Sequence, residues 1–187
     1  LPNLTSSDRD LAPAIIIDVD DTVLDNSPYE ARLIKSGQSY TSGWGDWCNE
    51  SQAKPLPGVL EFLLKAEQMG VKIFYVTNRK YEYEKGTLKN FKKFGIPIEG
   101  DEDSLLMRYE NGWDSNKTSR RELISKNHRV IFQIGDNLGD FVDLSLSHQS
   151  PEKRIEVVNE FNDMWGKYWF MIENPTYGDW EGALYKF

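Results

Sequence analysis

Apolar positions along the chain fall into short continuous runs separated by stretches with helical spacing. That is the pattern of strands buried on both faces and linked by helices. The first run, Ala14 to Ile17, is followed at once by Asp18-Val19-Asp20-Asp21-Thr22. A polar stretch containing Pro2, and ending at Pro13, leads into it and reads as a tail. Pro57 and Gly58 open a segment with Val59, Phe62, Leu63 and Ala66 at helical spacing, which Gly70 closes as a cap. Val71 to Thr77 is a second strand, ending in Thr77-Asn78-Arg79, and a helix carrying Leu88, Phe91 and Phe94 runs to Gly95-Ile96-Pro97. Ser104 to Tyr109 reads as a short strand, Asn111 to Lys117 as a polar turn, and Thr118 to about Lys126 as a helix. Arg129 to Gly135 is a further strand, and a helix near Glu152 to Trp165 with a last strand, Tyr168 to Glu173, completes the series. Strands alternating with helices predict an α/β fold, a doubly wound, Rossmann-like parallel sheet with right-handed crossovers.

One stretch breaks the alternation. Residues 25–57 show little period of either kind, yet carry Tyr29, Tyr40, Trp44 and Trp47 among Gly and Ser. A loop of that length in a compact domain is usually a lid or binding loop, so a small cap-like insertion after the first strand is expected. The 187 residues suit a single domain, 1–187, built around it.

Composition narrows the partners. With 22 basic against 30 acidic residues the net charge is -8, which argues against a nucleic-acid polymer and suits carboxylates gathered around a divalent cation. Cys48 is the one cysteine, so no disulfide within the chain is available. No apolar run reaches membrane-spanning length and no signal-peptide pattern opens the sequence, although it does not begin with Met.

The ends of four expected strands carry polar chemistry: Asp18 and Asp20, Thr77 and Asn78, Asp136, and Asn174. Parallel strands bring such ends to one edge of the sheet, where open α/β folds bind their ligands. Asp18 and Asp20, two apart in an extended segment, face the same way and can crowd one site. An Asp-rich turn after a strand, or a Gly-Asp-Asn turn, is also ordinary when seen alone. It is the convergence that points to an enzyme.

The runs Asp18-Val19-Asp20-Asp21-Thr22, Thr77, Lys117 and Gly135-Asp136-Asn137-Leu138-Gly139-Asp140 resemble the haloacid dehalogenase (HAD) superfamily of aspartate-nucleophile phosphohydrolases. Leu24-Asp25-Asn26-Ser27-Pro28-Tyr29, Phe74 to Arg79 and Asn174 to Glu181 are similar to the bacterial class C acid phosphatases of the lipoprotein-e type. The resemblance covers about Ile15 to Leu184. It implies a HAD fold and a Mg²⁺-dependent acid phosphatase, with Asp18 attacking phosphorus to form an aspartyl-phosphate. Asp20 would protonate the leaving alkoxide and then deprotonate the attacking water. The implied metal ligands are the Asp18 side chain, the Asp20 carbonyl and the Asp136 side chain, with Asp140 acting through water or orienting the others. Thr77, Asn78 and Lys117 would hold the phosphate, though Lys126 lies near enough to compete with Lys117 for that place. Trp47 and Tyr177 would flank the leaving group, with Asn26 also on the substrate side. The pattern departs from many members at Gly139, where they carry an acidic residue.

The expected substrates are small phosphomonoesters: nucleoside 5'-monophosphates, nicotinamide mononucleotide and aryl phosphates. The alternatives are a phosphotransferase at the same site and a non-catalytic storage or binding protein on the HAD scaffold. By resemblance the protein is exported, to the bacterial envelope (periplasm or outer membrane) or the medium. A lipid anchor would sit on residues upstream of Leu1, and a homodimer stays open.

Overall fold

The structure, a computed structural model, describes residues 10–98 and 103–185, so most of the amino-terminal tail lies outside the described residues. In chain order the elements begin with β1 (Pro13–Ile17), β2 (Leu24–Asp25), α1 (Ser27–Ser36), α2 (Trp44–Glu50) and β3 (Lys54–Pro55). They continue with α3 (Val59–Gln68), β4 (Lys72–Lys80), α4 (Glu84–Phe94), β5 (Leu105–Arg108), α5 (Thr118–Asn127) and β6 (Arg129–Gly135). The last are α6 (Leu144–Ser147), α7 (Pro151–Glu160), β7 (Trp169–Met171) and α8 (Asp179–Tyr185).

Among the described residues, five strands form one parallel sheet in the order β5-β4-β1-β6-β7. β1 lies between β4 and β6, so the chain winds outward from it in both directions and the strand order reverses at its end. That is where a doubly wound sheet opens a crevice. Successive residues of β1 face opposite ways. Ile15 and Ile17 pack with Leu63 and Ala66 of α3 and Phe91 of α4, whereas Ala14 and Ile16 pack with Phe74, Val76 and Ile124 of α5. A third cluster, Leu138, Phe141, Val157, Met164 and Trp169, fixes β7 and α7.

The expectation of a long loop over residues 25–57 is corrected. The segment holds α1 and α2, and the short antiparallel pair of β2 and β3 closes its base. Its helical period is weak in the sequence because α1 buries only Tyr29 and Leu33, one turn apart, while Ile34 is 83% exposed. Tyr29 meets Trp44 at 5.0 Å and Trp47 at 6.4 Å between ring centroids, so aromatic packing and not a long apolar stripe anchors the two helices. The insertion docks on α4 through Asn90 Nδ2, which donates to the Ala53 carbonyl at 2.7 Å, and Ser51 Oγ, which donates to the Gly86 carbonyl at 2.8 Å.

Other boundaries shift. The helix expected to reach Trp165 ends at Glu160, because the chain must turn there to place Phe161, Met164, Trp165 and Trp169 together. β4 runs three residues past Thr77, pairing Lys80 with Arg108. α6 and α8 had no counterpart in the apolar pattern, being four and seven residues long with one buried side chain each. Among the described residues, no helix is long and apolar enough to cross a membrane.

Glycine substitutions test the docking of the insertion. A Cβ on Gly86, inside α4, would lie 2.6 Å from the Cys48 carbonyl and 2.9 Å from the Asn49 Cα, both backbone atoms. Inside α8, Gly182 has nothing within 4 Å of such a Cβ. Alanine in a helix ordinarily gains about 1 kcal/mol over glycine. Gly182→Ala should therefore stabilise by up to about that amount, and Gly86→Ala should destabilise by at least as much, as read by urea denaturation. Stabilisation by both would show that α2 does not pack on α4 as described.

Candidate active site

Asp18 stands one residue past β1, where its N–H still donates to the Ile134 carbonyl of β6 at 2.9 Å. That last rung holds the carboxylate over the ends of the central strands. The chain then folds back, with the N–H groups of Val23 and Leu24 donating to the Val19 carbonyl at 3.0 and 2.8 Å. Asp21 occupies the left-handed region, φ 53°, which Asp tolerates better than most residues. From β6, Gly135 leads to Asp136 and on to a turn of 3₁₀ helix, Leu138–Asp140. Asp140 Oδ2 accepts from the Asn137 N–H at 2.9 Å, turning its side chain back over Gly135. A Cβ on Gly135 would lie 2.3 Å from that oxygen, so the position requires glycine.

Lys117, immediately before α5, completes the group. Its Nζ donates to Asp18 Oδ1 and, at 2.6 Å, to Asp140 Oδ1. Of the two lysines weighed from the sequence, Lys117 is the one at these carboxylates, whereas Lys126 sits exposed in the last turn of α5. Asp18, Asp136 and Asp140 each bring one oxygen within 4.8 Å of the others. Asn174, past β7, donates to Asp136 Oδ2 at 2.7 Å. The ends of β1, β6 and β7 thus converge on these carboxylates.

Burial is the dominant influence on their ionisation. It raises Asp18 to about 7, with Lys117 opposing and Asp140 and Asp20 adding to the rise. It raises Asp136 to about 9, helped by the charges of Asp18 and Asp140. Burial works against the charged form of Lys117 too, yet Asp140 and Asp18 carry it above its usual range. One ammonium group faces three carboxylates. A further hard cation suits this donor set of carboxylate oxygens, and those three residues could hold one.

Asp20 is gripped from the other side. Arg79 donates from Nε at 3.0 Å and Nη2 at 2.8 Å to Oδ1, and Asn26 Nδ2 adds a third bond at 2.9 Å. Arg79 is the main residue that sequence reasoning missed. Its signal was present, because Arg79 stands two residues after Thr77 in an extended strand and so faces the same way. Asn26 does not reach the cleft; it is fully buried, accepting from Trp47 Nε1 at 2.9 Å and bridging Asp20 and Asp21. Thr77 is also fully buried, its Oγ1 accepting from the Arg79 N–H at 3.0 Å. Asn78 does line the cleft, held by Arg120 Nη2 at 2.9 Å.

The open cleft, about 570 Å³, is lined by Asp18, Asp20, Asn78, Lys117, Asp136 and Asp140 among others. Its aromatic wall differs from the expected one. Trp47 does not line it; the residue is 3% exposed, in the core against Tyr29. Tyr177 does line it, and its near-parallel neighbour is Tyr40, with centroids 6.4 Å apart and planes at 4°. Trp44 stands edge-on to Tyr40 at 5.8 Å. No local pattern marked Tyr40, which follows Ser-Gly-Gln-Ser. The Tyr177 hydroxyl donates to Asp21 Oδ2, tying the aromatic wall to the turn that carries Asp20. At Gly139, a Cβ would lie 2.9 Å from Asp179 Oδ2, so an acidic side chain there would collide with a carboxylate already in place.

A family model described as HAD superfamily, subfamily IIIB (acid phosphatase), matches residues 3–180. Among solved structures, the class C acid phosphatase of Bacillus anthracis superposes with a TM-score of 0.86 at 39% identity, covering 94% of this chain and 72% of that one. The same enzyme has been solved with tungstate bound. Among curated proteins, the stem 28 kDa glycoprotein of Glycine max is 25% identical over 77% of this chain and 57% of its own length. Acid phosphatase 1 of Solanum lycopersicum is 24% identical over 72% and 54%. The chain thus spans about half the length of these curated relatives.

The raised carboxylates predict a coupling between pH and metal. Between the ordinary value of 3.8 and about 9, Asp18 and Asp136 hold more protons in the folded protein than in the unfolded chain. Their contribution to stability therefore falls as pH rises through that window. A divalent cation would replace those protons, so its stabilising effect should grow with pH. Melting temperatures in EDTA and in excess Mg²⁺ should lie close together near pH ~5 and separate by pH ~8. A gap that narrows with rising pH would exclude cation binding at these carboxylates.

Proposed function

The chain belongs to the HAD superfamily, subfamily IIIB, the acid phosphatases, and on that premise we propose that it hydrolyses small phosphomonoesters at this cleft. The observation that carries the reading is the meeting of Asp18, Asp136, Asp140 and Lys117 at the ends of the central strands, with Asp20 beside them.

In this mechanism an Asp18 oxygen forms a bond to phosphorus while the bond from phosphorus to the leaving oxygen breaks, giving an aspartyl-phosphate. Asp20 delivers the proton that the leaving alkoxide needs. It then accepts a proton from the water that attacks phosphorus, so inorganic phosphate departs and Asp18 is restored. Arg79 and Asn26 hold Asp20 in one orientation, the kind of pre-positioning that proton transfer requires. Lys117 and Asn78 are the groups in the cleft suited to the phosphoryl oxygens, and the tungstate complex of the Bacillus anthracis enzyme supports a site for a tetrahedral oxyanion. Asp18, Asp136 and Asp140 would hold a hard divalent cation, Mg²⁺ in our reading, which when bound supplies positive charge next to those oxygens.

Tyr40 and Tyr177 take the place that Trp47 and Tyr177 were expected to share. Two near-parallel rings lining the cleft support a planar leaving group, as in nucleoside 5'-monophosphates, nicotinamide mononucleotide and aryl phosphates.

Two outcomes test the reading. Phosphate release from a panel of monophosphates, with and without EDTA, should be lost by at least about a thousand-fold in Asp18→Asn while the circular dichroism spectrum is kept. Activity surviving at a few per cent of wild type would rule out covalent catalysis by Asp18.

For the aromatic wall, Tyr40→Ala should raise KM about tenfold for nucleotides and much less for small aliphatic phosphates. Trp47→Ala should instead lower stability by roughly 3–5 kcal/mol, because it empties a core position. Equal KM effects of Tyr40→Ala on both substrate types would exclude its stacking role.

A further inference from the structure

The charges lining the cleft do not balance. Arg79 is engaged by Asp20, and Lys117 by Asp18 and Asp140. The remaining cation on the cleft wall is Arg108, at the end of β5. Among the described residues no carboxylate lies within ion-pair distance of it, and its buried Nε has no hydrogen-bond partner. The guanidinium lies over the Tyr109 ring, 4.6 Å from its centroid, a packing that fixes the plane without using its N–H groups. Arg108 shares the cleft lining with Tyr40, whose hydroxyl its charge reaches, and it makes no ion pair with Asp18, Asp136 or Asp140.

A planar guanidinium with unused donors matches an oxyanion two bonds at a time. Resting on the phosphatase reading above, we propose that Arg108 binds a second anionic group, carried by the leaving group of the substrate. The favoured substrates are therefore phosphomonoesters whose alcohol portion itself bears a carboxylate or a further phosphate. Without Arg108, such a group would enter a cleft already lined by Asp179 and Glu181 and be repelled.

Two substrate pairs separate the sources of the anion: phenyl phosphate against 4-carboxyphenyl phosphate, and adenosine 5'-monophosphate against adenosine 3',5'-bisphosphate. Each is assayed with wild type, Arg108→Gln and Arg108→Lys, so that differences in leaving-group reactivity cancel between proteins. Arg108→Gln should lower kcat/KM for one or both anion-bearing substrates about tenfold more than for their partners, with Arg108→Lys intermediate. The pair that responds identifies carboxylate or phosphate as the group recognised. An equal loss on all four, or no loss on any, would overturn the proposal. If wild type turns over none of the four, the phosphatase reading fails by itself. Calorimetric binding of the same compounds then decides on Arg108: a preference for the anion-bearing member that Arg108→Gln removes upholds it, and equal binding refutes it.

Discussion

Lys117 is the hinge of the site's energetics, because among the described residues it is the sole ammonium set among three buried or half-buried carboxylates. Withdrawing a single charge from water costs several kcal/mol even after the surroundings relax. An aspartate cluster left without Lys117 would hold its protons. With Lys117 in place one carboxylate can stay anionic, and the charge still unmatched is what would let the cluster hold a cation. The surrounding architecture keeps this arrangement rigid. Asp140 is locked by its own turn, Asp136 by Asn174, and Asp18 by the last rung of the β1–β6 ladder.

The same economy governs the opposite wall. Arg79 is wholly buried, a cost balanced by the two-pronged contact with Asp20, by Thr87 Oγ1 at 3.2 Å, and by the Trp44 face 5.6 Å from its guanidinium carbon. Trp44 belongs to the insertion, and Arg79 to the central sheet. Asp20 is thus held jointly by the core fold and the insertion, so that neither can move without disturbing it.

What could be read in the sequence follows from the range of the forces involved. A buried parallel strand needs an apolar run and ends where the sheet ends, so β1, β6 and their terminal aspartates were visible as local pattern. Lys117 was placed by family resemblance, because a lysine before a helix looks the same whether it faces solvent or carboxylates. The aromatic wall was misassigned for a related reason. Composition shows that residues 25–57 are rich in rings, but which ring turns inward depends on the docking of α1 and α2 onto α4, a tertiary matter. Trp47 satisfied the core by stacking with Tyr29 and donating to Asn26, leaving Tyr40, 61% exposed, to face the cleft. Arg108 was missed because a strand-end arginine usually reads as a solvated edge charge.

The strand order also fixes when the site can come into being. β1 precedes both of its sheet neighbours in the chain, and the Lys117 partner of Asp18 arrives 99 residues after it. During synthesis the aspartates can remain in water until their counter-charge exists, so the nascent chain need not bury an unpaired acid. The cost of such long-range closure is time: most of the chain must emerge before the central strand is fully paired. A ribosome-bound fragment that stops before β6 would carry the Asp18-to-Thr22 run in full and still have no place to use it.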